Sequence, residues 1–115
     1  MSKNATALGF ILWAITLAAY ADTQSEIDHL LGFIETSDCV FVRNGSQHDA
    51  AAARDHIERK YAYAKRWINT TEQFIEYTAT KSSTTGKRYS VICAGREEPS
   101  ADWLKRELRR FRASP

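Results

Sequence analysis

The segment CVFVRNG at residues 39–45 predicts a strand followed by a turn. Its β-branched and aromatic residues form a run that is too short for a helix and is typical of a strand. Asn44-Gly45 then predicts a tight turn, because both residues tolerate a positive φ. A second segment of the same kind, RYSVIC at residues 88–93, predicts a second strand.

Four helices around these strands are predicted by apolar residues that recur every three or four positions. They span residues 23–37, 50–68, 71–79 and 101–112. Asp49 and Ser100 are the expected N-caps of the second and last helices, and Thr70 with Gln73 forms a capping-box pattern before the third. Residues 94–99 are expected to form a loop. The sequence therefore predicts a small α+β domain, with about four helices packed against a two-stranded antiparallel sheet.

The N-terminus has the three parts of a secretory signal peptide. Lys3 supplies a positive charge, an apolar run follows at residues 7–19, and Ala19 and Ala21 are the small residues that precede a cleavage site. An uncleaved anchor is the alternative, but the run falls short of the roughly 20 residues that span a bilayer. We therefore expect a signal peptide at residues 1–21 and a single exported domain at residues 22–115, with no integral membrane segment after cleavage.

The two cysteines stand at the ends of the predicted strands. Cys39 opens the first strand and Cys93 closes the second, so antiparallel pairing places them at the same end of the sheet. An exported domain with two cysteines favours a disulfide. Closing a loop of about 55 residues stabilises a fold by about 4 kcal/mol on the chain-entropy model.

Composition excludes some classes of function. Without Lys3 the net charge is near +1, which argues against a nucleic-acid partner. Three scattered histidines and two distant cysteines show no metal-ligand spacing, so neither a metal nor another cofactor is predicted. The segment TTGK at residues 84–87 lacks the earlier glycine and the following Ser or Thr of a phosphate-binding P-loop.

Several short motifs together resemble a known family. They are FVRNG at residues 41–45, His48, His56-Ile57-x-x-Lys60, Thr71-x-x-Phe74-Ile75 and SSxTGKxY at residues 82–89. This set is similar to the YfeK-like family of small exported bacterial proteins, a domain of unknown function. The resemblance implies a bacterial periplasmic protein and implies no activity.

The polar residues of these motifs predict a candidate anion site. Antiparallel pairing brings the end of the first strand to the start of the second, on the side away from the cysteines. Cationic side chains, hydroxyls and free turn amides would meet there, a combination suited to a carboxylate, phosphate or sulfate. The predicted cluster comprises Arg43, Asn44, Gly45, His48, His56, Lys60, Ser82, Ser83, Gly86 and Lys87. The competing interpretation is that Arg43 and Lys87 form surface ion pairs with Asp49 and Glu58.

Two further surfaces have competing interpretations. His56, Lys60, Tyr63 and Trp67 share one helical stripe, which is either a recognition surface or, as we expect, peripheral core. The basic residues of the last helix suit an anionic lipid surface or, more simply, the negative end of the helix dipole.

The predicted function is a non-catalytic periplasmic binding or interaction protein. Its partner would be an envelope protein or a small anionic ligand. One alternative is a small hydrolase-like enzyme that uses Ser82 or Ser83 with His48 or His56, although no GxSxG elbow is present. The other is an envelope stress or stability factor.

Overall fold

The computed structural model describes residues 22–114. The predicted signal peptide, residues 1–21, and its cleavage site after Ala21 lie outside the described residues. Among the helices of residues 22–114, none has the length and apolar character needed to cross a membrane.

Four antiparallel strands form one sheet. They are β1 (Val40–Arg43), β2 (Ser46–His48), β3 (Ser90–Cys93) and β4 (Arg96–Pro99), in the order β2-β1-β3-β4. The two predicted strands, β1 and β3, pair at the centre, with Phe41 opposite Val91. The prediction of a two-stranded sheet is therefore wrong, because each central strand also folds back onto an edge strand.

The two edge strands lack the usual sequence signals of a strand. β2 is three polar residues, and β4 is the charged run Arg-Glu-Glu-Pro. Such residues suit a sheet edge, where charge and proline discourage pairing with other chains. Their turns are alike, since both central residues have positive φ: 50° and 80° at Asn44-Gly45, and 52° and 77° at Ala94-Gly95. Ala94-Gly95 was missed because alanine rarely adopts this conformation.

The helices follow the predicted order. We label as α1 the helix over residues 22–35, followed by α2 (Ala50–Ala64), α3 (Thr71–Ala79) and α4 (Ser100–Ala113). A 3₁₀ turn at Lys65–Trp67 follows α2, so the predicted helix to residue 68 is α-helical only as far as Ala64.

The predicted caps hold at two of three helix starts. The Asp49 carboxylate accepts a hydrogen bond from the amide of Ala52, and Thr70 and Gln73 form a capping box. Ser100 is already the first residue of α4, with Pro99 at the cap position. Proline supplies no side-chain acceptor there, so the expected Ser100 cap is wrong.

The core lies between one face of the sheet and the helices. Phe41 and Val91 project to this face, and the Phe41 ring lies 5.6 Å from the Trp103 ring of α4. At one end of β1 and β3, a disulfide joins Cys39 and Cys93, whose Cα atoms are 4.7 Å apart. The predicted cysteine pairing is present, and it leaves the other end of the two strands for the candidate site.

Candidate functional site

The turn after β1 meets the loop before β3, as the motif positions predict. Asn44 forms both contacts: its Nδ2 donates to Ser82 Oγ over 3.4 Å, and its Oδ1 accepts from Thr85 Oγ1 over 2.6 Å. The motif FVRNG and the motif SSxTGKxY therefore lie together at the end of the sheet opposite the disulfide.

The loop at residues 82–87 is held in place by hydrogen bonds among its own residues. Ser82 is buried, and its Oγ accepts hydrogen bonds from the amides of Thr84 and Thr85, each over 3.3 Å. The amide of Gly86 donates to the Ser82 carbonyl, and the amide of Lys87 donates to Thr85 Oγ1. The expectation of free amides in this loop is wrong, because the loop's own serine and threonine side chains compete for them.

Three basic side chains, Arg43, His56 and Lys60, form what we call the cationic cluster. Buried Tyr89 links two of them: its Oη accepts from Lys60 Nζ over 3.2 Å and lies 3.3 Å from His56 Nε2. Lys60 Nζ also donates to the carbonyl of Lys81 over 3.1 Å. An ammonium only donates, so the Tyr89 proton remains available to His56.

Arg43, at the end of β1, lies beside His56 and Tyr89. It lies two residues after Phe41, and strand alternation puts both side chains on the inner face. Arg43, His56 and Tyr89 line a small cavity of about 20 Å³, which is large enough for one water molecule. Arg43 Nε is buried and has no hydrogen-bond partner among the described residues. A buried donor of this kind is rare in native structures.

The charged groups that most affect the pKa of His56 are all basic. Burial, and then the positive charges of Arg43 and Lys60, lower the pKa of His56 from its usual 6.5 to about 4. Arg59 and His48 act in the same direction with smaller effects. His56 is therefore neutral at pH 7, in surroundings that disfavour another positive charge.

Carboxylates do not neutralise the cationic cluster within residues 22–114. The Asp49 carboxylate caps α2, and the Glu58 carboxylate accepts from Arg54. Neither Arg43 nor Lys87 forms an ion pair in that part of the chain. The alternative pairings of these cations with Asp49 and Glu58 are therefore wrong.

A groove opens on the outer side of the cluster. We call it the aromatic groove; it has a volume of about 410 Å³ and is lined by His56, Arg59, Lys60, Tyr63, Ala64, Trp67, Tyr77 and Ser83. Tyr63 is 85% exposed and Trp67 is 54% exposed. The expectation that these rings are peripheral core is wrong. Tyr77, 47% exposed, was missed, although its place outside the apolar stripe of α3 was a signal.

The groups of the hydrolase alternative form no hydrogen-bonded pair within residues 22–114, although His56 and Ser83 line the same groove. Ser82 Oγ is occupied by the loop and by Asn44, and the described hydrogen bonds of His29 and His56 go to Glu107 and Tyr89 rather than to a serine. His48 lies in β2 opposite Phe41. In the same range, no three His, Cys, Asp or Glu side chains are grouped so that they could hold a metal ion.

The basic residues of α4 are largely paired. Arg112 binds the carboxylates of Glu26 and Glu72, while the buried Glu107 binds His29 and Arg110. We call these six residues the charge-paired region. Arg106 in turn binds Glu98 through two hydrogen bonds. These pairings tie α4 to α1, α3 and β4, so most of its positive charge is neutralised within the fold.

The chain belongs to a family of unknown function, DUF5329, whose model matches residues 21–112. The chain is also similar to the uncharacterized protein YfeK of Salmonella typhimurium, with 36% identity over 80 residues, which is 65% of this chain and 67% of that protein. The resemblance to the YfeK-like family is thereby confirmed. No solved structure matches the chain.

Proposed function

We propose that this protein is an exported, non-catalytic binding module that holds an anionic group at the cationic cluster. The observation that carries the proposal is that neither Lys60, which lines the aromatic groove, nor Arg43, which lines the inner cavity, forms an ion pair with a carboxylate among residues 22–114. The buried Arg43 Nε, which has no hydrogen-bond partner among these residues, lies beside His56 and adds positive charge to the cluster.

The ligand would enter from the aromatic groove. The inner cavity of about 20 Å³ is too small for any ligand, whereas the groove of about 410 Å³ lies in the usual range for small-molecule sites. His56 lines both spaces and Lys60 lines the groove. An anionic oxygen at this position would accept hydrogen bonds from Lys60 and reduce the positive potential around His56.

The loop at residues 82–87 has a positioning role in this proposal. Because its amides are engaged internally, it holds Asn44 and the end of β1 in place and leaves recognition to the side chains. Of the residues predicted for the site, His56, Lys60 and Ser83 would face the ligand, and Arg43 would contribute its charge from the inner cavity. Asn44, Gly45, Ser82 and Gly86 would shape the site, with His48 and Lys87 at its edge.

Thermal melting with inorganic phosphate tests this function, with chloride at equal ionic strength as the reference. At about ten times the dissociation constant, phosphate would stabilise the wild type by about 1.4 kcal/mol. For a domain of this size the melting temperature would then rise by about 6–11 °C. Lys60→Met would abolish the rise, whereas Lys105→Met, an equal charge change on the exposed side of α4, would retain it.

The same experiment has a clear opposing result. If phosphate and chloride have equal effects on the wild type, or if Lys60→Met retains the full rise, the cluster does not bind anions. A further variant, Lys87→Met, separates the loop from the helix. We expect it to retain most of the rise, since the Lys87 side chain makes none of the cluster's contacts.

Export is part of the proposal and rests on the N-terminal sequence. The positive residue, the apolar run and the small residues at 19 and 21 support cleavage after Ala21. The full chain expressed in a bacterium should yield a periplasmic protein whose intact mass begins at Asp22. Recovery of the uncleaved chain from the cytosol would contradict this step.

A further inference from the structure

The aromatic groove has a composition that points to a particular class of ligand. Its lining combines three exposed rings, those of Tyr63, Trp67 and Tyr77, with the polar groups of His56, Lys60 and Ser83. These rings are the large hydrophobic side chains exposed within residues 22–114. Their concentration in one groove, next to the cationic cluster, marks a binding surface rather than scattered surface residues.

The groove does not suit a peptide that binds through its backbone. Most of its lining comes from α2, the 3₁₀ turn and α3, whose backbone groups are largely hydrogen-bonded within the helices. A peptide strand adds to an exposed sheet edge, and no strand residue lines the groove. Recognition here must therefore use ring faces, hydroxyls and charged groups of side chains.

A sugar ring has the matching chemistry. A pyranose presents a flat face of C–H groups, which packs on an aromatic ring, and a rim of hydroxyls, which bond with polar side chains. Tyrosine and tryptophan offer an apolar ring together with a polar atom, which suits such a two-sided ligand. Trp67 already packs against a polar group in this structure, because the guanidinium carbon of Arg66 lies 5.1 Å from the centre of its ring.

The positive charge of the groove favours acidic sugars over neutral ones. Lys60 and Arg59 line it, and no acidic residue does. Arg59 is paired with Asp55, so Lys60 is the lining cation without a carboxylate partner among the described residues. We propose that the aromatic groove binds an anionic oligosaccharide, with a sugar ring on the aromatic side chains and its acidic group at Lys60. This inference rests on the proposed function for the contact with the acidic group.

Calorimetric titration with three probes tests the proposal: trigalacturonate, which combines sugar and charge; maltotriose, which is a neutral sugar; and triglutamate, which has charge without sugar. We expect trigalacturonate to bind at least tenfold more tightly than either of the others. Tyr63→Ala should weaken trigalacturonate binding roughly two- to tenfold, the range for one aromatic contact. Tyr63→Phe, which keeps the ring and removes only the hydroxyl, should bind more tightly than Tyr63→Ala.

The outcomes separate this inference from the anion site itself. Equal binding of trigalacturonate and triglutamate, unchanged in Tyr63→Ala, would overturn the sugar and leave the anion site standing. Tighter binding of triglutamate would also overturn it and favour an acidic protein segment. Failure of every anion, phosphate included, would overturn both proposals. Because Tyr63 is 85% exposed, an unchanged melting temperature would show that Tyr63→Ala is correctly folded.

Discussion

The charge-paired region and the cationic cluster use basic side chains in opposite ways. In the charge-paired region, Arg112 meets two carboxylates and the buried Glu107 meets two basic groups. In the cationic cluster, Arg43 and Lys60 meet no carboxylate within residues 22–114. A net charge of +2 conceals this separation. Overall charge therefore says little about local electrostatic potential in a small domain.

Lowered pKa values have different meanings in the two regions. The hydrogen bonds from Arg112 lower the pKa of Glu26 and of Glu72, because they favour the charged carboxylates. The hydrogen bond from Arg110 does the same for the pKa of Glu107. Burial and neighbouring cations lower the pKa of His56, because they disfavour its charged form. The first effect supports the fold, and the second reflects the burial of His56 and, after it, nearby positive charge.

The largest difference is expected from removing the arginine of the charge-paired region. Arg112→Met removes hydrogen bonds to two carboxylates, and Glu26 is mostly buried. Because Arg112 itself is 42% exposed, solvent reduces the loss, and we expect about 1–2 kcal/mol of unfolding free energy. Urea denaturation measures this value. Arg109→Met, an exposed change on the same helix, should alter it by less than about 0.5 kcal/mol.

An equal loss of unfolding free energy in Arg112→Met and Arg109→Met would contradict this prediction. It would mean that the ion pairs of Arg112 contribute nothing beyond general charge and helix propensity. The charge-paired region would then be no more structural than the rest of the surface of α4.

A smaller effect is expected from the titration of His56. The unfolded chain binds this proton near pH 6.5 and the folded chain only near pH 4, so the unfolded state binds more protons between these values. Stability from this group is complete above about pH 6.5 and falls as the pH decreases toward 4. Relative to His56→Gln, which keeps a polar partner for Tyr89, we expect the wild type to lose about 1 kcal/mol by pH 5, after allowance for solvent.

The carboxylates of the charge-paired region titrate in a lower range. Their pKa values are lowered from 4.5, so their contribution is lost as the pH falls below that value. The wild type and His56→Gln should therefore lose stability equally below about pH 4.5. The difference in unfolding free energy between them should arise above that pH. Stability curves that run parallel from pH 8 to pH 4 would show that folding does not lower the pKa of His56.

The sequence predicted the fold where its signals were local. Asn44-Gly45 predicted a turn, Thr70 with Gln73 predicted a helix start, and the two cysteines marked the same end of the central strands. The edge strands β2 and β4 were missed because their residues are polar or charged. Their pairing comes from the neighbouring central strand rather than from their own propensity.

The candidate site was predicted in position and only partly in chemistry. Motif spacing placed Arg43, His56 and Lys60 at one end of the sheet. It did not show that the Ser82 hydroxyl binds the amides of its own loop, because such bonds depend on turn geometry. Nor did it show that Tyr63 is solvent-exposed, since its stripe borders the buried face of α2 and periodicity alone does not fix how far the core extends.

The smallest change in unfolding free energy is expected from Arg43→Met, which is directly comparable with Arg112→Met because each removes one arginine. The methionine keeps an apolar stem against the inner face of the sheet and removes a buried Nε that has no partner in the described structure. It also removes the charge that contributes most, after burial, to the lowered pKa of His56. We therefore expect an unfolding free energy within about 0.5 kcal/mol of wild type, or above it, because nothing favourable is lost. In the same variant, NMR titration should show the pKa of His56 rising from about 4 toward 6.5. A loss of 1–2 kcal/mol, as for Arg112→Met, with an unchanged pKa for His56, would make Arg43 a structural residue and end the distinction between the two regions.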